Sequence, residues 1–249
     1  MKRILLSVAT VVAMAAPALA ADLRAPVMKA PMAMPATNWT GCYLAGGAGY
    51  GMWNQDSNWQ TNPGHVALYH TTTAGGRGWF GTVGGGCDLQ VSSRWVVGIF
   101  GDFDFGNIKG THNNGTWWGD EKERSAWSVG GRFGYLITPE VLTYFSGGFT
   151  EARFSRVDVF GTSLPVTAVG NFLPATTYSG WFLGGGYEYN LGWLPGLFWR
   201  TEYRYARYES KDIPYFLVSS GAQDTTGIHS AKFTQTLRSE LVWRFNWNR

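Results

Sequence analysis

The amino-acid sequence predicts an all-β fold, an eight-stranded antiparallel up-and-down transmembrane β-barrel. Three observations lead to this prediction. Eight segments alternate between apolar and polar residues with a period of two, which is typical of strands with different environments on their two faces. Short and long connections alternate between these segments. The 249 residues include 34 glycines, 13 tryptophans, 12 tyrosines and 15 phenylalanines but only 15% charged residues, as expected for a wall with aromatic side chains at the lipid–water boundary.

The start of the chain has the features of an export signal. Two basic residues precede an apolar run, Ile4–Ala16, and an Ala-x-Ala cleavage site ends at Ala20. The run is shorter than the ~20 residues of a spanning helix, so a cleaved signal is favoured over a membrane anchor. We therefore predict a signal peptide over 1–20, an Ala/Pro-rich periplasmic linker over 21–38 and an outer-membrane barrel over 39–249.

The charge balance excludes one class of partner. After removal of the signal peptide the chain has 18 basic and 17 acidic residues. A nucleic-acid-binding surface needs a concentration of basic residues, and the sequence has no basic stripe. We predict no nucleic-acid partner, and no motif indicates a cofactor or a metal ion.

Short and long connections alternate between the predicted strands. Seven predicted strands span Gly41–Trp53, Gly78–Val91, Trp95–Phe105, Val141–Arg153, Gly180–Leu191, Leu197–Glu209 and Lys232–Trp247, and another lies between Arg124 and Thr138. Long polar connections occupy Asn54–Gly75, Gly106–Arg124, the residues from Phe154 to Tyr178, and Ser210–Ala231. Short periplasmic turns and long outer loops alternate in this way in bacterial outer-membrane barrels.

The last strand distinguishes a membrane barrel from a soluble lipocalin-type barrel, which also has eight strands. One face carries Phe233, Leu241 and Trp243, and the other carries Arg238 and Glu240. An apolar terminal strand is tolerated in lipid only if its edge is paired, so it must close a barrel. A lipocalin has its polar face outside, whereas here the aromatic face is too apolar to meet water. The sequence therefore predicts the outer membrane of a Gram-negative bacterium.

Charged residues on the polar faces are predicted to point into the lumen. The predicted lumen charges are Asp102, Asp104, Arg132, Glu188, Arg200, Glu202, Arg204, Arg238, Glu240 and Arg244. An eight-stranded barrel is only wide enough for its side chains to fill it, and buried charges must be paired. We expect an Arg–carboxylate network that acts as a structural plug. A gated narrow pore is the alternative.

Cys42 and Cys87 are the only cysteines. They lie on adjacent predicted strands at similar distances from the first long connection, so an antiparallel hairpin places them opposite each other. Because the periplasm is oxidising, we predict a structural disulfide between them.

An outer-membrane acyl hydrolase is a weaker hypothesis. His229 and Ser230, with Glu240, are the residues from which a base, a nucleophile and an orienting carboxylate would have to come. Adjacent residues on a strand point to opposite faces, which prevents His229 and Ser230 from bonding to each other. We therefore predict no enzymatic activity. His65, His70 and His112 lie in polar segments and are expected to be solvated.

Five segments, taken in order, resemble the alphaproteobacterial outer-membrane immunogenic proteins, a porin family of OmpA-like eight-stranded barrels. The segments are Ala20–Leu23 with the Ala/Pro-rich stretch after it, Asn38–Tyr43, Trp95–Phe103, Thr201–Tyr205 and Phe233–Arg238. The resemblance implies a surface antigen that supports envelope integrity and has at most a small pore. The implied partners are outer-membrane lipids and lipopolysaccharide, the barrel-assembly machinery, and host surface molecules that contact the long loops.

The C-terminus departs from the family pattern. Members of this family usually end on an aromatic residue that the assembly machinery recognises, whereas Asn246–Arg249 extends past Phe245. We expect that Trp247 takes this role or that recognition is less strict.

Overall fold

The computed structural model describes residues 38–113, 117–161 and 168–245. The described residues form eleven strands: β1 (Gly41–Thr61), β2 (Thr72–Gln90), β3 (Trp95–Asn113), β4 (Trp117–Thr138), β5 (Val141–Phe154), β6 (Val157–Gly161), β7 (Ala168–Leu173), β8 (Thr176–Asn190), β9 (Leu197–Tyr208), β10 (Lys211–Leu217) and β11 (Gln223–Phe245). The predicted signal peptide (1–20), all but the last residue of the predicted linker, and the C-terminal residues 246–249 lie outside the described residues. Within the described ranges there is no helix with the length and apolar character needed to span a bilayer.

Eight of the strands form a closed barrel. They follow one another around the wall in the order β1, β2, β3, β4, β5, β8, β9 and β11. Strand β1 pairs in antiparallel fashion with β2 on one side and with β11 on the other, which closes the sheet. The predicted eight-stranded antiparallel barrel is confirmed, and so are its short turns at residues 91–94, 139–140 and 191–196.

The barrel continues beyond the end of β5. There β6 takes the place of β5 beside β4, β7 pairs with β6, and β10 pairs with both β7 and β11. The wall of this outer part again consists of eight strands, namely β1, β2, β3, β4, β6, β7, β10 and β11. Two-residue breaks, Ser155–Arg156, Pro174–Ala175 and Glu209–Ser210, separate the inner strands from the outer ones.

The prediction that the four long polar connections are loops is wrong for most of their length. Strands β1 to β4 extend well into the first two connections, and β6, β7 and β10 lie within the others. The outward face of these extensions is polar because it meets water instead of lipid. The alternation that marks the inner strands is therefore weak in the sequence, although the backbone remains extended and paired.

Eight outward-facing aromatic residues, one on each barrel strand, define an outer aromatic ring. The ring consists of Tyr50, Trp79, Phe105, Trp127, Phe149, Trp181, Tyr205 and Phe233. A second aromatic group, which includes Trp95, Trp199 and Trp243, lies near the short turns. Aromatic side chains concentrate at the two boundaries of a membrane. We therefore assign the strand portions between these groups to the membrane, and the strands beyond the outer aromatic ring to its outer side.

The interior changes character at the outer aromatic ring. Within the membrane-spanning part, clustered charged side chains occupy the lumen beside apolar ones such as Phe182 and Val242, whereas beyond the ring an apolar core surrounds a smaller buried polar group. Buried apolar residues of the outer part include Trp53, Phe154, Val157, Tyr178, Ile213 and Ile228. A wall that faces water on the outside packs an apolar core, as a soluble barrel does.

Candidate functional site: the charged lumen

The inner half of the lumen is organised around Glu188 on β8. Its side chain is fully buried, and its two oxygens accept hydrogen bonds from three guanidinium groups. Arg132 donates to Oε2 at 3.1 Å, and Arg200 donates to the same oxygen at 3.1 and 2.9 Å. Arg244 donates to Oε1 at 2.9 and 2.7 Å. One carboxylate therefore links strands β4, β9 and β11.

Asp88 on β2 is a second buried carboxylate in this cluster. Arg132 donates to it through both Nε, at 2.8 Å, and Nη2, and Arg244 Nη1 lies 2.7 Å from its Oδ2. Asp88 was not among the predicted lumen charges. The signal that identifies it was present, because Asp88 lies on the face of its strand opposite Val83, Cys87 and Leu89.

The ring of Tyr43 on β1 forms a platform for the three arginines of the inner cluster. The guanidinium carbons of Arg200, Arg132 and Arg244 lie 4.6, 4.7 and 5.1 Å from its ring centroid. Cation–π contacts of this length are attractive and are stronger when the groups are desolvated. The adjacent strand leaves room for the ring, because a Cβ atom at Gly86 would lie 2.6 Å from the Tyr43 hydroxyl.

A second cluster lies closer to the outer aromatic ring, around Asp102 and Asp104 on β3. Arg204 binds Asp102 in a bidentate manner, with both distances 3.0 Å. Arg238 bridges the two aspartates, at 3.2 Å from Asp102 and 2.8 Å from Asp104. Bidentate contacts between arginine and carboxylate are among the strongest hydrogen bonds in proteins.

The last two predicted lumen charges are Glu202, in this outer cluster, and Glu240, in the inner one. Glu202 accepts hydrogen bonds from Arg204 Nε at 3.1 Å, from Ser146 at 2.8 Å and from Tyr144 at 3.2 Å. Glu240 pairs with Arg200 of the inner cluster at 3.7 Å. The structure therefore brings all ten predicted lumen charges, together with Asp88, into two adjacent ion-pair clusters, which together form the charged network. The clusters meet at Tyr144, whose hydroxyl donates to Glu202 and whose ring centroid lies 5.2 Å from the Arg132 guanidinium carbon.

The network leaves little free space in the lumen. Six carboxylates face five guanidinium groups, so the charges are nearly balanced. A cavity between the clusters has a volume of about 10 Å³, and one on the outer side of Arg204 and Arg238 has about 20 Å³. Each volume corresponds to roughly one water molecule. A hydrated ion or a sugar does not fit into either cavity.

A separate polar cluster lies beyond the outer aromatic ring. Lys232 Nζ is 2.5 Å from Glu121 Oε2, and the same oxygen is 2.7 Å from His112 Nε2. Three aromatic rings surround the ammonium group, with centroids at 3.9 Å for Phe154, 4.7 Å for Trp53 and 5.2 Å for Tyr178. The expectation that His112 is solvated is wrong. It is buried because its segment is a strand with its even-numbered residues pointing inward.

In this separate polar cluster, the pKa values of two neighbouring glutamates are shifted in opposite directions. Burial opposes ionisation of Glu121, but Lys232 and His112 more than compensate and hold the pKa of its carboxyl below the usual value. Burial lowers the pKa of the Lys232 ammonium. Burial also raises the pKa of Glu123 to about 8, and the negative charges of Asp104 and Glu121 contribute to the shift. Its Oε2 has no hydrogen-bond partner among the described residues.

Cys42 and Cys87 face each other directly across β1 and β2. Their Cα atoms are 3.9 Å apart, and a disulfide joins the two side chains. The disulfide lies near the short-turn end of the barrel and cross-links β1 to β2.

The residues of the hydrolase hypothesis do not come together. His229 Nδ1 lies 2.8 Å from Asp212 on the outer surface, whereas the Ser230 hydroxyl is buried and lies 2.7 Å from the Tyr178 hydroxyl. Glu240 lies ten residues further along β11, roughly 30 Å at the usual rise per residue. Among residues 38–113, 117–161 and 168–245, no cluster of three His, Cys, Asp or Glu side chains could hold a metal ion.

A closed antiparallel barrel with an aromatic ring, a lipid-facing apolar surface and a charged lumen defines a transmembrane β-barrel of the outer membrane. The sequence matches the family model described as "Outer membrane protein beta-barrel domain" over residues 6–245. The chain belongs to this family. No curated protein matches the sequence.

Solved structures resemble the chain in fold. OprG from Pseudomonas aeruginosa is 10% identical, with a TM-score of 0.55, and the alignment covers 85% of this chain and 100% of OprG. Ail of Yersinia pestis is 13% identical with a TM-score of 0.32, covering 80% of this chain and 99% of Ail. The outer membrane protease OmpT from Escherichia coli is 12% identical with a TM-score of 0.42, covering 86% of this chain and 99% of OmpT. At these identities the OprG likeness concerns the fold alone.

Proposed function

We propose that this protein is a structural surface barrel of the outer membrane with a sealed lumen. The observation that carries the proposal is the ion-pair network, which spans the lumen from Asp88 and Glu188 to Asp104 and leaves cavities of only 10 and 20 Å³. Every arginine of the network contacts at least one carboxylate, so opening a path would separate buried charge pairs. Separating such pairs is strongly unfavourable in a low-dielectric interior.

A narrow diffusion channel is the alternative function. The observation that favours a channel is that polar side chains, among them Asp102, Arg200 and Glu202, line the small cavity between the two clusters. Liposome swelling in arabinose separates the two functions. A sealed barrel leaves the swelling rate at that of protein-free liposomes, and a rate that rises with the amount of inserted protein supports the channel.

The physiological role that we propose is support of the envelope and contact with the surroundings. The outer strand extensions project a rigid platform beyond the membrane, which suits contacts with host surface molecules. The five matching segments of the sequence favour a place among the alphaproteobacterial immunogenic proteins. Lipopolysaccharide and outer-membrane lipids would surround the wall, and the barrel-assembly machinery would insert it. A deletion strain tests the role. We expect greater sensitivity to detergent, restored by the intact gene, and unchanged sensitivity would contradict the proposal.

We also propose that the barrel is not an enzyme. The separation of His229, Ser230 and Glu240 argues against the acyl hydrolase that these residues would have formed. The test is deacylation of phospholipid by detergent-folded protein, with the His229→Ala variant beside it. Release of fatty acid by the wild-type protein would contradict the proposal. Loss of that activity in the variant would assign it to His229, and activity that survives would show that His229 is not required.

A further inference from the structure

Three cations form a row on the outer wall of the barrel. Arg77 on β2, Lys109 on β3 and Lys122 on β4 all lie on the outward face. Arg77 is the direct cross-strand partner of Lys109, and Lys109 is the direct partner of Lys122. Side chains in such positions have Cβ atoms about 4.5–5.5 Å apart. Three adjacent strands therefore present three positive charges side by side.

This row has no counter-ion within the described protein. The ion pairs formed by the described residues leave out Arg77, Lys109 and Lys122. The nearest outward-facing carboxylate on the same strands, Asp120, accepts a hydrogen bond from Thr111 at 2.8 Å, one step further from the membrane. Like charges directly opposite each other destabilise a sheet. An external anion would relieve this repulsion.

The depth of the row identifies the kind of anion. Arg77 is two residues from Trp79, on the same face of β2, and the Trp79 ring packs against Tyr50 in the outer aromatic ring at 5.1 Å. Two residues correspond to about 7 Å along a strand, somewhat less along the membrane normal because barrel strands are tilted. Lipid headgroups lie immediately beyond an aromatic belt. The three cations are therefore at headgroup depth.

The orientation of the barrel places these headgroups in the outer leaflet. The short turns lie at the opposite end, as do Asn38 and Phe245 at the limits of the described barrel. Short turns face the periplasm in outer-membrane barrels. We propose that Arg77, Lys109 and Lys122 form a binding site for the phosphate groups of the outer-leaflet glycolipid, lipid A. The site rests on the outer-membrane location and is independent of whether the lumen conducts.

Two other outward-facing cations provide a matched control. Arg153 on β5 has Ser125 and Thr177 as cross-strand partners, and Arg207 on β9 has Trp181 and Phe233. Neither has a cation directly opposite. The Arg153→Gln/Arg207→Gln variant removes the same charge from the outer wall as the Arg77→Gln/Lys109→Gln variant, but it leaves the row intact.

The test measures binding of diphosphoryl lipid A to detergent-folded full-length protein by native mass spectrometry. We expect the Arg77→Gln/Lys109→Gln variant to bind about 25-fold more weakly than the wild type, at roughly five-fold for each cation near a lipid surface. The control variant should change less than about three-fold. Lipid A without phosphates should bind the wild type at least as weakly as diphosphoryl lipid A binds the row variant, which keeps Lys122.

Thermal unfolding is a second readout, and here the row variant should gain stability although it loses lipid A binding. In a zwitterionic detergent without lipid A, the row variant should unfold at a higher temperature than the wild type, because it lacks the opposed charges. If lipid A binding is weakened equally in the row variant and the control variant, the effect is one of general surface charge, and the proposed site is wrong. Equal binding of lipid A without phosphates would overturn it as well. Displacement of lipid A by millimolar inorganic phosphate, or equally tight binding of a soluble polyanion such as heparin, would mean that the row is not a lipid site.

Discussion

Glu188 and Arg244 are 56 positions apart, yet two hydrogen bonds of 2.9 and 2.7 Å join the Nε and Nη2 atoms of the arginine to one carboxylate oxygen. They lie on β8 and β11, which are separated in the wall by β9. The contact therefore passes over β9 on the inside of the barrel and does not follow the hydrogen bonds of the sheet. Contacts of this kind join strands that are distant in sequence, which is what the proposed plug requires.

Removal of the central carboxylate should destabilise the barrel. In the Glu188→Gln variant, three buried guanidinium groups lose their shared anion, and we expect a loss of about 3–5 kcal/mol in the free energy of unfolding. The measurement is the urea midpoint of tryptophan fluorescence in phospholipid vesicles. The control is Glu209→Gln at an exposed carboxylate, for which we expect a change of less than about 0.5 kcal/mol. Equal midpoints for the two variants would show that the network does not stabilise the fold.

Glu123 should make stability depend on pH. Its pKa is about 8 in the folded barrel, whereas an unfolded glutamate titrates near pH 4.3, so the folded state binds the proton more tightly. This contribution is fully present below about pH 4.3 and is lost as the pH rises through about 8. The wild type should therefore lose more stability between pH 5 and pH 9 than Glu123→Gln, by an amount on the order of a few kcal/mol. Parallel pH profiles of the two urea midpoints would contradict the assignment.

Lys232 and Glu121 should behave as a coupled pair. The Lys232→Met variant leaves the buried carboxylate of Glu121 with His112 as its remaining partner, and we expect a loss of about 3–5 kcal/mol. The double variant Lys232→Met/Glu121→Gln should recover most of this loss, because neither charge remains buried. A double-mutant cycle on the urea midpoints gives the coupling energy. Strictly additive effects would show that the short contact between the two residues contributes nothing.

The disulfide should stabilise the first hairpin. Cys42 and Cys87 are 45 positions apart, and a cross-link that closes a loop of this size restricts the unfolded chain by about 4 kcal/mol in the chain-entropy model. We expect the Cys42→Ser/Cys87→Ser variant to unfold at a lower urea concentration, with the difference abolished when the wild type is reduced. A wild-type midpoint that is unaffected by reductant would contradict this expectation.

The sequence predicts the membrane-spanning half of the barrel better than the outer half. Within the membrane, lipid imposes an apolar outer face, so alternation identifies the strands and the residues that point inward, such as Glu188 and Arg238. Beyond the outer aromatic ring the outward face of the wall is in contact with water, and the sequences of segments such as β6 and β10 are therefore typical of polar loops. Which inward charges pair with each other depends on strand tilt and register around the closed wall. For this reason the partner of each charge could not be predicted. The Lys232–Glu121 pair lies in the outer half, where alternation is weak, whereas Asp88 is missing from the predicted charges although alternation places it on the inward face.

Planar-bilayer conductance tests the sealed lumen most directly. The wild-type protein and an Asp102→Ser/Arg204→Ser/Arg238→Ser variant, which removes the centre of the outer cluster, would be compared at the same voltage and salt concentration. We expect no steady unitary current steps from the wild type and measurable steps from the variant. Steady unitary steps from the wild-type protein would contradict the sealed lumen and favour the narrow channel.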